Sequence, residues 1–266
     1  MGGTEIVAFQ ERFVEADGFR IRYLEAGDGP ALVHLHGAGG LRMTAAHDLL
    51  CRQFRVIVFE MPGFGDVENQ RTQTIQDMAA TMAAAIDRLG LDRFSLMGTS
   101  FGGRVVAWLA VRHPERVAAL VLDAPAAIRP EGSEPVSGTP EEIARRIYAH
   151  PERMPPRPGV DPALAERRLA LVRRLRGPGR DAALEEGLRG LKMPVLVLFG
   201  TLDGVISPDM GRFYKDLIPD AHLVFVYDAG HAIATERPEA FVDVVGDFLE
   251  RNDAFVINRS KTVILP

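Results

Sequence analysis

Of the six serines in the chain, Ser100 stands in Gly98-Thr99-Ser100-Phe101-Gly102. A hydroxyl is a poor nucleophile near neutral pH. It attacks a carbonyl only when a general base lies within hydrogen-bond reach, an acid orients that base, and donors are aimed at the developing oxyanion. The five residues G-x-S-x-G arise from this composition by chance in about one chain in twenty. They carry meaning only with a strand before them, a helix after them, and a base and an acid further on.

That context is present. The apolar run "RFSLMG" (93–98) reads as a strand and "FGGRVVAWLAVRHP" (101–114) as a helix. A sharp strand-to-helix turn would expose the serine and aim the free N–H groups of the helix start at the site. Gly98, Gly102 and Gly103 supply the small residues that such a turn needs. The base is expected late: His231, in "DAGHAIATERPE", follows the last strand-like run. The acid is expected after the preceding strand, where Asp203 follows "VLVLFG" by three residues, at the carboxyl end where open α/β sheets place their sites. Asp123, which ends "ALVLD", competes for that role. The loop "HGAGG" (36–40) can bring a backbone N–H close to substrate, with Ala38 the expected oxyanion donor, Gly39 the second choice, and Phe101 the other donor. It lacks the Lys and Ser/Thr of a phosphate-binding P-loop.

The elements that must position these residues follow from hydrophobic periodicity. "RFVEA" (12–16) and "FRIRYLEA" (19–26) alternate as strands with one wet face, joined at Asp17-Gly18, a hairpin dipeptide. "ALVHLH" (31–36) and "RVIVFE" (55–60) read as further strands, and "TIQDMAATMAAAIDRLG" (74–90) as a helix closed by Gly90. "VAALVLDA" (117–124), "PVLVLFG" (194–200) and "HLVFVY" (222–227) are strands, with helices near 208–217 and 238–251. Alternation of this kind makes βαβ units and a parallel sheet, here of about eight strands and antiparallel at its start. Residues 126–190 interrupt it with turn-rich stretches and two or three short amphipathic helices with many arginines on the polar face. They are expected to be a lid inserted into a core formed by 1–125 and 191–266. The tail 253–266 is apolar and β-branched; lying on the core, adding an edge strand and pairing with another subunit all remain open for it.

Bulk properties narrow the function. A net charge of −5 and a pI near 5.8, with no long basic run, argue against bulk nucleic-acid binding. Cys51 is the single cysteine, so no intrachain disulfide forms. No basic and apolar leader opens the chain, and no run of 18 apolar residues occurs, so a cytoplasmic protein without membrane attachment is expected. Ile6 stands where myristoylation needs Ser or Thr. No cofactor signature and no metal-ligand spacing is found. His36 is expected to tie neighbouring loops together, and His34, His47, His113, His150 and His222 to be structural or superficial. Trp108 and the methionines read as core.

Taken together, "HGAGG", "FEMPGFGD" (59–66), "GTSFGG", "FGTLD" and "AGH" resemble the α/β-hydrolase superfamily over residues 12–251. The resemblance implies a central eight-stranded, mostly parallel sheet flanked by helices, with a lid after the sixth strand. It implies a triad in which Ser100 attacks, His231 moves the proton and Asp203 orients the imidazole, with the amides of Ala38 and Phe101 as oxyanion hole. The leading expectation is hydrolysis of a carboxylic ester, lactone or similar small acyl substrate through an acyl-enzyme. The alternative is hydrolysis of a carbon–carbon bond in a diketone-like ring-cleavage product. Relatives of that kind usually carry Asn before the serine and Trp after the histidine, where this chain has Thr99 and Ala232. Epoxide hydrolases and dehalogenases of the superfamily use Asp as nucleophile, against Ser100. A haloperoxidase-like side activity and a ligand-binding protein that does no chemistry complete the range. Lid arginines would favour an acidic substrate, and a homo-oligomer is possible on this reading.

Overall fold

A computed structural model describes residues 8–130, 132–154 and 159–252, and the backbone of the pair 263–264. A hairpin of β1 (Gln10–Ala16) and β2 (Phe19–Ala26) opens the chain. Asp17 and Gly18 both take positive φ, 51° and 74°, the backbone that a two-residue hairpin turn of matching twist requires. β2 then pairs antiparallel with β4 (Arg55–Phe59). From β4 the sheet is parallel, running through β3 (Ala31–Leu35), β5 (Phe94–Thr99), β6 (Val117–Asp123), β7 (Val195–Gly200) and β8 (Ala221–Val226) in the order β1-β2-β4-β3-β5-β6-β7-β8. Two tail residues, Val263–Ile264, add a short antiparallel β9 to the edge at β8. The other tail residues lie outside the described ones. This is the eight-stranded, mostly parallel sheet expected from the sequence, with the tail contributing an edge strand.

The near-continuous apolar runs of β3 to β7 follow from burial on both faces. One face, with Val33, Leu35, Ile57, Leu96 and Leu122, is covered by α2 (Ile75–Arg88), α3 (Phe101–Arg112), α6 (Ala182–Arg189) and α7 (Met210–Leu217). The other, with Leu32, Val56, Met97, Val121 and Leu198, is covered by α1 (Ala45–Leu50), α8 (Ile233–Glu236) and α9 (Pro238–Arg251). The short α1 and α8 are too brief to leave a helical period in the sequence. Between β6 and β7 the chain forms α4 (Pro140–Ile147), a 3-10 turn at Pro151–Arg153, α5 (Pro162–Leu175) and then α6. Thr139 and Asp161 cap the first two helices by accepting from the amides of Glu142 and Leu164, and each helix starts with proline at its first turn.

Packing between β3 and α3 sets the position of everything that follows. A Cβ on Gly102 would collide with the carbonyls of Leu35 and His36 at the end of β3, and one on Gly98 with Val106 and the Gly102 carbonyl. Only hydrogen fits there, so the first turn of α3 lies directly against strand backbone. Replacing Gly102 by Ala should therefore push α3 off the sheet and cost about 3 kcal/mol or more. Urea denaturation of the two proteins checks this; a loss under about 1 kcal/mol would show that the contact is soft.

Candidate active site

Ser100 is the residue between β5 and α3, and its backbone is strained. It has φ 52° and ψ −111°, outside the comfortable regions for a side-chain-bearing residue, at a cost of about 1–3 kcal/mol. Two hydrogen bonds fix it. Its amide donates to the carbonyl of Asp123 at 2.8 Å, and its carbonyl accepts from the amide of Ala126 at 2.9 Å. The serine is thus tied on one side to the last residue of β6 and on the other to the loop that follows it. Phe101 is the first residue of α3, so its N–H has no partner within the helix.

Overhead runs the loop expected to supply the second oxyanion donor. A Cβ at Gly37 would stand 3.4 Å from the Ser100 Cβ, so this loop passes directly over the serine. Gly40 N–H donates to the Gly37 carbonyl at 3.1 Å, turning the loop so that Ala38 lies at its exposed tip. Buried His36 holds it in place: Nδ1–H donates to the Gly37 carbonyl at 2.7 Å, and Nε2 accepts from the Met61 amide at 3.1 Å. The second contact requires the neutral ring, and burial pushes its pKa down to about 4. His36 thus bridges two loops, as its sequence position suggested.

Asp203 and His231 meet in the loops after β7 and β8. Asp203 Oδ2 accepts from His231 Nδ1–H at 2.8 Å, while its Oδ1 accepts from the amides of Val205 at 2.8 Å and Ile206 at 2.9 Å. The carboxylate side chain is fully buried and the imidazole nearly so. A proton on Nδ1 leaves Nε2 as the acceptor, which a general base needs. Asp203, rather than Asp123, carries the contact to His231. Asp123 instead accepts from the Thr99 hydroxyl through Oδ2 at 2.8 Å, and burial pushes its carboxyl up to about 6.

Segment 140–150 touches both of these loops, which sequence reasoning did not reach. The amide of His231 donates to the Ile147 carbonyl at 2.7 Å, and Arg146 Nε donates to the Gly204 carbonyl at 3.1 Å. Half-buried Glu236 accepts from the amides of Gly230 at 2.9 Å and Ala149 at 2.8 Å, and burial pushes its pKa up. From α5, half-buried Arg168 donates to the carbonyls of Phe64 and Gly39, both at 2.7 Å. The only sequence signal for these contacts was polar residues on amphipathic helices, and that pattern does not say where they dock.

The sequence profile of the alpha/beta hydrolase fold matches residues 30–158. A 2-hydroxymuconate semialdehyde hydrolase of Pseudomonas sp. strain CF600 is 32% identical, over 93% of this chain and 96% of the relative. The chain belongs to the α/β-hydrolase superfamily. A 2-hydroxy-6-oxo-6-(2'-aminophenyl)hexa-2,4-dienoic acid hydrolase of Metapseudomonas resinovorans is 28% identical, over 92% of both chains. Among solved structures, a membrane phospholipase A described as a bacterial virulence factor superposes with a TM-score of 0.75. It is 25% identical and covers 91% of this chain, which covers 86% of it. The chain is thus a hydrolase of this superfamily.

The strained serine yields a stability test. Glycine tolerates positive φ whereas alanine does not, so Ser100→Gly should be about 1 kcal/mol more stable than Ser100→Ala. Chemical denaturation of the two variants measures it; equal stabilities would mean that the turn is not strained.

Proposed function

We propose that this hydrolase cleaves a carbon–carbon bond in a diketone-like ring-cleavage product, with Ser100, His231 and Asp203 as its triad. The observation that carries the reading is similarity over nearly the whole length, 32% and 28% identity, to hydrolases of 2-hydroxymuconate semialdehyde and of a 2-hydroxy-6-oxo-hexadienoic acid. In such an acid the 2-hydroxyl is an enol. Moving its proton to C5 gives a ketone at C2 and places C5 between the C6 carbonyl and a conjugated double bond. Ser100 Oγ attacks C6 while His231 Nε2 takes its proton, and Asp203 holds Nδ1–H. The amides of Ala38 and Phe101 bind the oxyanion. Collapse breaks C5–C6; the electron pair delocalises through the double bond to the C2 carbonyl, and the proton on His231 returns to the departing carbon. Water, activated by His231, then hydrolyses the acyl-Ser100 ester.

Residues 126–190 serve as the lid in this reading, rooted where α6 lies on α3 and reaching the triad loops through Ile147. Arg168 is the lid arginine beside the "HGAGG" loop, and its charge favours an acidic substrate. The second reading is hydrolysis of an ester or lactone. Thr99 and Ala232 favour it, since they replace the Asn and Trp usual in carbon–carbon hydrolases. The likeness to a phospholipase A points the same way.

A fluorophosphonate adduct on Ser100 tests the shared triad, and no adduct on folded protein would favour a ligand-binding role. Turnover of 2-hydroxy-6-oxo-6-(2'-aminophenyl)hexa-2,4-dienoic acid is then compared with that of 4-nitrophenyl butyrate. The proposal expects kcat/KM higher by about 100-fold or more on the dienoic acid; the reverse ratio makes the ester reading correct. With either substrate Asp203→Asn should lower kcat by about 10⁴, through loss of the productive tautomer. Full activity would shift the orienting role to another acid.

A further inference from the structure

A row of polar side chains crosses the face of the sheet that α1 and α9 cover. His34 on β3, Thr99 on β5 and Asp123 on β6 share that face with Leu32, Met97 and Val121, one strand after another at the carboxyl ends. His47 of α1 extends the row and Thr44, the residue before that helix, ends it. The Thr44 amide donates to His47 Nδ1 at 3.0 Å. His47 Nε2 and His34 Nδ1 are 2.9 Å apart, and His34 Nε2 and Thr99 Oγ1 are 3.0 Å apart. Thr99 Oγ1–H donates to Asp123 Oδ2 at 2.8 Å. A backbone N–H can only donate, so it fixes the proton on Nε2 of His47, and in turn on Nε2 of His34. Every bond then points the same way, toward Asp123. Burial pushes both imidazoles well below their usual range, to about 4 for His47, which suits neutral relays.

Asp123 has a second oxygen, Oδ1, buried and with no hydrogen-bond partner among the described residues. Its own carbonyl holds the Ser100 amide. The charges that act on it are those of His231 and Asp203, from the loops after β8 and β7, and His34 lies behind Thr99. We propose that the chain Thr44–His47–His34–Thr99 positions Asp123 as a second carboxylate for the His231 imidazolium, alongside Asp203. The inference rests on His231 being the base of the proposed triad. When His231 takes the serine proton it becomes a cation in a dry site, where a further negative charge is worth more than in water. Asp123 does not touch the ring; it acts through the field and is a positioning residue.

The sign of the pH effect follows. A nearby carboxylate favours the protonated imidazole, so removing it lowers the pH at which His231 loses its proton. Asp123→Asn removes the charge directly. Thr99→Val, of nearly the same shape, removes the donor to Oδ2, so the carboxyl rises further and is neutral over more of the range. Two opposing effects set the stability of the first variant. A buried carboxyl raised to about 6 contributes stability that is lost as pH rises through that value, and an amide has no such loss. The amide also buries N–H groups where Oδ1 has no partner among the described residues, so urea denaturation of Asp123→Asn sets the pH range over which it is titrated folded.

The experiment is a pH titration of the ¹⁵N-labelled histidine rings in the full chain by NMR, with His231 assigned by its replacement with Gln. It reads His231 without requiring turnover. The expected result is a midpoint lower by about half a pH unit or more in Asp123→Asn. A smaller shift of the same sign is expected in Thr99→Val, with recovery in Thr99→Ser. The rate of fluorophosphonate labelling near pH 7 falls about tenfold in the first variant. A His231 midpoint unchanged in both Asp123→Asn and Thr99→Val overturns the proposal, even if both lose stability. Labelling of Ser100 in the parent with an unmoved midpoint leaves the triad standing and removes Asp123 from it. A shifted midpoint without labelling of the parent does the opposite, placing Asp123 beside His231 and sinking the nucleophile.

Discussion

At Gly102 the first turn of α3 touches the end of β3 through backbone alone, and the geometry of the site descends from that contact. Because the helix cannot stand further off, the link from β5 into it has no room for a relaxed loop, and Ser100 absorbs the reversal in its own φ. The strain is held by main-chain hydrogen bonds to the last residue of β6 and to Ala126 just beyond it, so three neighbouring strands together fix the backbone of one residue. The same closeness brings the loop after β3 over the serine. An oxyanion site formed by the Ala38 and Phe101 amides would then be assembled by packing before substrate arrives, which is the condition under which such donors cost no reorganisation.

The segment between β6 and β7 is coupled to the other half of the site by equally simple needs. The last carbonyls of a helix lack partners within it. At the end of α4 that vacancy is filled by the amide of His231, while Arg146 and Glu236 tie the same turn to the loops of Asp203 and His231. Movement of α4 would therefore pull on the histidine backbone. A lid built on α4 and a base at His231 would therefore not be independent parts, and changes in α4 should be read as changes in the candidate site.

How much of this could be seen in the sequence depends on the range of the interactions. The β-strands and long helices were legible because each buries a periodic apolar face, and the hairpin at Asp17-Gly18 because positive φ selects those residues. Ser100, Asp203 and His231 stood out since each follows a strand at the same edge of the sheet. The tail strand was legible only as a β-branched run, as its partner is chosen by the free edge of β8. His34, His47 and Thr99 were not legible as a group. They come from β3, α1 and β5, and no local pattern tells a histidine in a hydrogen-bonded row from one in a wet turn. Their positions in the alternation did place His34 and Thr99 on one face, and an apolar face interrupted at adjacent strand ends was the available signal.

That interruption has an energetic meaning. Leu32, Met97 and Val121 show that this face favours apolar side chains, and a row of such residues continued to the strand ends would fold with less desolvation. Instead the fold buries two imidazoles, a hydroxyl and a carboxyl there, and satisfies all of them but one carboxylate oxygen, on a carboxyl whose charge interacts with those of His231 and Asp203. A purely structural polar row would close its last hydrogen bond, because an unmet acceptor costs more than a met one gains. On the proposal made above, the open end serves the His231 imidazole, for which a partner completed within the protein itself would have little left to offer.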